Sequence, residues 1–600
     1  MKFAFFADLS DFLQSQYGVS VPEIPVELCP PQFTGDITVN CFPLAKALRR
    51  NPMELAAALC AQLASHSDIE AVSAVKAFVN ITLRPAALMR DTVADRDALL
   101  AAVALPAVER RRVLIEFSAP NTNKPQHLGH VRNNTVGMAT ASILERAGHD
   151  VVRVNLVNDR GIHICKSMLA YQRFGAGVTP ASSGKKGDHL VGDFYVAYDK
   201  ELRKQLAALR LDKPALADKT DEELFLETEI GMAAQEMLRA WEQNDPAVRA
   251  LWETMNQWVF DGFAVTYRRM GVEFERTYLE SQTYMLGKDI IRDGLERGVF
   301  KKRDDGAVII EFDDPSLGTK VVLRSDGTSV YVTQDIGTTM LKQNDFQPDQ
   351  QIWVVGDEQI RHFKVLFAIL KALGYSWADQ LTHMAYGMVN LPSGKMKSRE
   401  GTVVDADELF DEMETLARDA TVEKAGDDLP ENLDERARVI SMAALKFMLL
   451  KVNPKTTIMF DPQASIKFEG DTGPYVLYAY ARICSMLRKA AAASDVAAGE
   501  VAAGALDWSL LKEPAERMLA LRCALYPELL QKAARDLDSS ALAGYLLDLA
   551  KDFSGFYRNC PVLNADDASL RTTRLALSET VRVILADGLR ALTINTLESM

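Results

Sequence analysis

The pattern of apolar and polar positions divides the 600 residues into three regimes. Up to about residue 105, short β-like runs such as "GDITVNC" and "AFVNITL" alternate with the helical "LAKALRRNPMELAAALCAQLASH", and the polar "LPAVERRR" closes the unit. From 113 the pattern changes, because "VLIEF" is the short continuous apolar run of a buried parallel strand. A Pro-containing loop, the helix "HVRNNTVGMATASILERAG" and a second strand, "DVVRVNLVND", complete a βαβ unit. Residues from about 170 to 275 are helical and strongly charged, and read as an insertion between the halves of a sheet. Strand grammar resumes in "AVIIEF", "KVVLRSDGTSVYVTQDIG" and "QIWVVGDEQIRHFKVLFAILKALG". Beyond about 435 Leu/Ala-rich helices dominate, with "ASDVAAGEVAAGALDW" as an exposed loop between two of them. The predicted class is α/β. A small α/β unit (1–105) precedes a Rossmann-like, doubly wound parallel-sheet domain (106–435, helical insertion about 170–275) and an all-α unit (436–600).

Composition narrows the functional classes. The chain is too long for one hydrophobic core, and 48% apolar with 25% charged residues is an ordinary globular balance. Asp8 and Asp11 interrupt the apolar start, so no signal peptide is expected, and no stretch approaches a membrane span. A cytoplasmic protein with no membrane partner is expected. The seven cysteines are scattered without a Cys-x-x-Cys pair, which points to free thiols and not to a zinc ribbon or disulfide framework. Net charge of −14 argues against indiscriminate polyanion binding, and DNA is not expected as a partner. Residues 440–600 carry 18 basic and 18 acidic residues, making this the relatively basic region and a modest hint of where a polyanion could dock.

Two stretches carry chemistry. In "APNTNKPQHLGHVRNN", His127 and His130 fall on one face at a helix start, an end that attracts phosphate. Gly129 leaves room for a base or ribose against the backbone. Imidazole N–H groups there can stabilise charge developing on phosphate oxygens. A metal site would need a third ligand, and the eight histidines form no clear cluster. In "LPSGKMKSREGTVVDADELF", Lys395, Lys397 and Arg399 crowd between Gly394 and Gly401. Such a loop suits closure over a polyphosphate, and taken alone reads equally as a solvated basic turn.

"HLGH" resembles the first signature of class I aminoacyl-tRNA synthetases, and "KMKSR" resembles their second. "EFSAPNTNKPQHLGH", "VNDRGIHICKSM", "YVTQDIG", "GDEQIRHFKVLF", "GDTGPYVLYAYARI", "FYRNCPVL" and the N-terminal "VNCFPLAKALRRNP" are similar to successive blocks of the arginyl-tRNA synthetase family. The resemblance spans almost the whole chain. It implies a monomer that converts L-arginine and ATP into arginyl-adenylate and pyrophosphate, then esterifies the terminal adenosine of its tRNA. Mg²⁺ would accompany the ATP, with no dedicated protein metal site. His127, Gly129, His130, Lys395, Met396 and Lys397 would bind ATP, with His127, His130, Lys124, Lys395 and Lys397 as the catalytic set.

A guanidinium is best held by carboxylates in fork geometry. Glu116 ends the "VLIEF" strand and Asp335 ends the strand-like "SVYVT" run, so both are expected at the carboxyl edge of the sheet, a pair that calls for a cation. By resemblance, Glu116, Asn121, Tyr331, Asp335 and Gln359 bind arginine, with His127 close by and Phe117 and Ser118 contributing from the same strand end. In the helical C-terminal unit, "YVLYAYARICSMLRK" interleaves Tyr475, Tyr478 and Tyr480 with Arg482, Arg488 and Lys489, a pattern suited to stacking and phosphate contacts with tRNA. The resemblance also implies that the N-terminal unit approaches the tRNA elbow and that bound tRNA promotes arginine activation. Two departures from the family stand out. Ser398 occupies the second signature's fourth position in place of Lys, with Lys124 resembling its replacement, and "SAVKAF" lacks a Gly-Pro-Gly-like turn.

Overall fold

The computed structural model describes residues 3, 5–19, 24–30, 32–391, 404–426, 429–493 and 506–600. Lys395, Met396 and Lys397, and most of the Ala/Gly stretch, lie outside the described residues. At the N-terminus, β1 (Val26–Leu28), β2 (Ile37–Asn40), β3 (Ile69–Val75) and β4 (Phe78–Leu83) form an antiparallel sheet in the order β1-β2-β4-β3. Helices Phe5–Tyr17, Cys41–Leu48 and Pro52–Leu63 accompany it; Asn51 caps the last, accepting from the Met53 and Glu54 N–H groups. At "SAVKAF" the turn is made with Lys76 at φ 54°, so a non-glycine residue adopts left-handed backbone there.

The central sheet comprises β5 (Arg112–Glu116), β6 (Asp150–Val157), β7 (Arg276–Leu279), β11 (Gln350–Gly356) and β12 (Leu381–Tyr386), in the order β12-β11-β5-β6-β7 and parallel throughout. The chain moves one way from β5 to β7 and then crosses to β11 on the other side of β5. The switch point therefore lies between β5 and β11, where such folds bind ligands. Helix Leu128–Arg146, the signature helix, comes directly after β5. The insertion between β6 and β7 is built from helices Ile162–Phe174, Gly187–Asp212, Glu229–Glu242 and Pro246–Met270, with its own core around Met168, Phe194 and Val259.

Two expectations are corrected. "AVIIEF" and "KVVL" do not join the parallel sheet; β9 (Val308–Glu311) pairs antiparallel with β8 (Lys301–Lys302) and β10 (Thr319–Leu323) in a sheet of three. "SVYVT" is not a strand either. Tyr331 opens helix Tyr331–Phe346, so Asp335 sits on a helix and not at a strand end. The β-branched residues there hide a helical period, since Val332, Ile336 and Thr339 are all buried on one face.

β13 (Val389–Asn390) pairs in parallel with β14 (Ile458–Met459), tying the parallel-sheet region to the C-terminal helical unit. Beyond helix Ala406–Ala425 come helices Leu433–Leu450, Gly473–Ala493, Pro514–Ala524, Tyr526–Asp536, Ser539–Asn559 and Ala568–Ala591. The largest apolar core is continuous across units: Leu9 and Ile81, Ile115 and Val131, Leu477 and Leu585 all belong to it. None of the described helices is long and apolar enough to cross a membrane.

Candidate active site

The turn after β5 holds unusual backbone. Ser118 and Ala119 have φ of 83° and 48°, held by Asn133 Oδ1 accepting from the Ser118 N–H (2.5 Å) and Asn155 Oδ1 from the Ala119 N–H (2.9 Å). Strained backbone persists only where neighbours over-determine it, as these two amides do. Beyond it, His127 is the N-cap of the signature helix. Its Nδ1 accepts from the Gly129 N–H (3.1 Å), while His130 Nδ1 accepts from the His127 N–H (3.1 Å). With both Nδ1 atoms accepting, each neutral ring carries its proton on Nε2. Burial, then the Lys124 charge, pushes the His127 pKa down to about 4. Burial, then His127 and Lys124, holds His130 well below its ordinary value. At neutral pH the helix start thus presents two uncharged donors. A Cβ on Gly129 would lie 2.9 Å from His127 Cε1, so a side chain there would have to displace the histidine ring.

The segment on the C-terminal side of the second signature is bound to the first. The Leu128 N–H donates to the Val404 carbonyl (2.9 Å), the Ala406 N–H donates to the Gln126 carbonyl (3.0 Å), and His127 and Asp405 form an antiparallel bridge. Asp405 also caps helix Ala406–Ala425. Lys186 Nζ adds a tie from the insertion, 2.9 Å from Asp188 and 2.6 Å from Asp407, with His189 Nε2 3.1 Å from Asp407. Asp188, His189 and Asp407 have the make-up of a metal-ligand trio. Lys186 already provides the cation that this trio calls for.

Beside the signature turn opens a cavity of about 960 Å³, lined by Asn121, His163, Lys166, Glu280, Tyr331 and Asp335 among others. Its acidic wall differs from the expected one. Glu116 is 7% exposed and forms a buried ion pair with Lys342, so its charge is met within the protein and it does not line the cavity. Glu280, directly after β7, takes its place beside Asp335. Burial, and after it the charges of Asp159 and Asp335, raise the Glu280 pKa against the pull of Arg160. Asp159, fully buried, accepts from the Ser281 N–H (2.7 Å) and hydroxyl (2.6 Å) and so fixes the turn that presents Glu280. Asp335 accepts from His362 Nε2 at 2.5 Å.

Of the other candidates, Asn121 and Tyr331 line the cavity, and Tyr331 is 78% exposed at its rim. Gln359 is exposed in the turn after β11 and is absent from the lining. Phe117 and Ser118 do not face the cavity. Phe117 is core, tilted against the Phe274 ring and packed against Gly137, and the Ser118 hydroxyl bonds Tyr267 (2.7 Å). Glu280 was missed in the sequence; its signal is an acid at the end of the short run "RTYLE" where the insertion rejoins the sheet.

In the C-terminal unit, Tyr478 and Arg482 form a cluster. Lys424 Nζ lies 3.5 Å and Arg482 Cζ 4.6 Å from the centre of the Tyr478 ring, and Arg482 reaches Tyr557 at 5.4 Å. Tyr480 is buried core, the Tyr475 hydroxyl bonds Ser554 (3.2 Å), and Arg488 donates to the Glu598 carbonyl (3.0 Å); Lys489 is exposed. Lys424 and Tyr557 were not anticipated, because they come from other helices.

Comparison with known proteins decides the family. The profile described as "tRNA synthetases class I (R), catalytic domain" matches residues 96–461, more than half of the chain. The chain belongs to the arginyl-tRNA synthetase family. The "Arginyl tRNA synthetase N terminal domain" profile matches residues 5–83, and the "DALR anticodon binding domain" profile matches 476–600. The arginine–tRNA ligase of Bacteroides thetaiotaomicron is 43% identical over 592 residues, covering 97% of both chains, and that of Porphyromonas gingivalis is 42% identical over 98% of both. The solved Thermus thermophilus arginyl-tRNA synthetase superposes over the full length of both chains with a TM-score of 0.80 at 29% identity. The Plasmodium falciparum enzyme shares the fold (TM-score 0.75, 17% identity, 99% of both chains).

Proposed function

We propose that this chain, like relatives named arginine–tRNA ligases, joins arginine to tRNA, activating L-arginine with ATP and transferring it to the terminal adenosine. The observation that carries the reading is the Glu280–Asp335 pair in a cavity that Asn121, of the loop leading to the two neutral imidazole donors, also lines. Adjacent half-buried carboxylates repel unless cations join them. Arg160, 3.9 Å from Glu280, and His362 beside Asp335 offset part of that charge, and a substrate guanidinium, planar and permanently charged, can bridge the two acids. Lysine offers one point charge and leaves an acid unmet.

With the guanidinium anchored, the arginine carboxylate attacks the α-phosphorus of ATP in line and pyrophosphate leaves. His127 and His130 donate through Nε2–H to the oxygens that gain charge, assisted by the helix N-terminus and by Lys124. Lys395, Lys397 and Met396 are assigned to the pyrophosphate end, delivered by the segment whose far flank is bound to His127 and Leu128. Mg²⁺ accompanying ATP would add charge neutralisation on the phosphates, with no dedicated protein ligands assigned to it. The ribose hydroxyl of the tRNA then attacks the activated carbonyl and AMP departs. Tyr478, Arg482, Lys424 and Tyr557 are assigned to the RNA, offering stacking faces and cations together. The reading includes a cytoplasmic monomer, which sedimentation with and without tRNA tests.

The deciding experiment is ATP–pyrophosphate exchange with arginine, with lysine, and with or without tRNA. Exchange with arginine and not lysine supports the proposal. Absence of exchange under every condition, with tRNA still bound, sinks it.

A further inference from the structure

Arg132 stands two residues past His130 and is fully buried, yet among the described residues no carboxylate pairs with it. Its guanidinium donates only to backbone carbonyls: Nε to Gly387 (3.4 Å), Nη1 to Leu449, and Nη2 to Pro454 (3.0 Å) and Thr456 (3.3 Å). Burying a cation against neutral acceptors is expensive, and a well-packed apolar side chain would serve stability better. What a guanidinium alone can do is present five donors in one rigid plane. Here that plane joins three segments. The first is the opening of the signature helix. The second is Gly387, between β12 and β13, from which the chain runs into the second signature. The third is the 449–456 turn that leads out of helix Leu433–Leu450 to β14.

The junction is tight from the opposite side as well. A Cβ on Gly387 would lie 2.6 Å from the Thr456 carbonyl carbon and 2.8 Å from the Lys455 oxygen. At its far end the same helix is held by Arg146, whose Nε reaches both carboxylate oxygens of Asp587 (2.8 and 2.9 Å) on helix Ala568–Ala591. The signature helix is therefore gripped at both ends by the C-terminal helical unit.

We propose that Arg132 is a positioning residue for the activation step, registering His127 and His130 against the strand leading into the second signature and against the C-terminal helices. The inference rests on the synthetase reading. It acts through geometry, since a displacement of about 1 Å among reacting groups costs on the order of 100-fold in rate.

The test uses the full-length protein and the variants R132K and G387A. It compares kcat and KM in arginine-dependent exchange, tRNA Kd by filter binding, and thermal unfolding. R132K retains the charge but not the fork, and is expected to lower kcat about 100-fold with arginine KM and tRNA Kd unchanged. G387A, which presses on the same junction without altering the signature helix, is expected to lower kcat in the same selective way, and reads the junction alone if R132K does not fold. Wild-type kcat in R132K, or parallel losses in kcat, KM and Kd, overturns the positioning role. An inactive wild type instead overturns the synthetase reading and this inference with it.

Discussion

A single ion pair redirects the acidic site. Glu116 is neutralised by Lys342, so the carboxylate that faces the cavity beside Asp335 is Glu280. Removing one charge of a half-buried pair facing a cation costs less than the full buried value, about 2 kcal/mol of binding. Glu280→Gln is therefore expected to raise the arginine KM by about 30-fold in exchange kinetics and to leave the ATP KM unchanged; an unaltered arginine KM would remove Glu280 from the site. The histidines give a pH expectation. Their pKa values lie below the ordinary 6.5, His127 at about 4, so both stay neutral through the physiological range. The exchange rate should show no break near 6.5 from either ring and should fall only as pH approaches about 4, when protonating His127 Nδ1 sets two donors face to face. The histidine turn was legible because its hydrogen bonds close within four residues. The acid pair was not, because its members lie on separate elements.

Between elements, the Lys186–Asp188–His189–Asp407 cluster ties the insertion to the helix on the C-terminal side of the second signature. Burial disfavours charge on His189, but the bond to Asp407 and the charges of Asp405 and Asp188 outweigh it and raise its pKa. A raised histidine pKa contributes stability that is fully present below the unfolded value and is lost as pH rises through the folded one. Amide exchange at the start of helix Gly187–Asp212 should accordingly quicken as pH rises above about 6.5, the unfolded value, beyond the intrinsic pH trend. Lys186→Met leaves Asp188 buried without its cation and should destabilise the fold by about 3–5 kcal/mol in denaturant titration. The helical insertion itself was visible in the sequence as a charged, periodic stretch. The helix Tyr331–Phe346 reads as a strand in the sequence because its β-branched residues mimic one locally, and only burial along one side reveals the helical period.

Across the whole molecule, the N-terminal and C-terminal units share one apolar core and a half-buried ion pair. Arg517 donates to both carboxylate oxygens of Asp36 and to the Leu83 carbonyl, while the Leu83 N–H donates to Asp36. Arg517→Met strands the Asp36 charge and is expected to cost about 3 kcal/mol, with residues 1–105 unfolding ahead of the rest in a scan that tracks both parts. A single unchanged transition would show that the shared core, not this link, holds them together.

The sequence alone carried whatever is encoded at short range: the βαβ unit and the helical insertion by periodicity, the histidine turn by its residue types, and the family by a series of ordered motifs. Only the tertiary structure decided which charges meet. It assigned Lys342 to Glu116, Glu280 to the cavity, Lys186 to the would-be metal trio and four carbonyls to Arg132. The physical reason is that periodicity reports which face of an element is buried, whereas electrostatic partners are set by how distant elements pack.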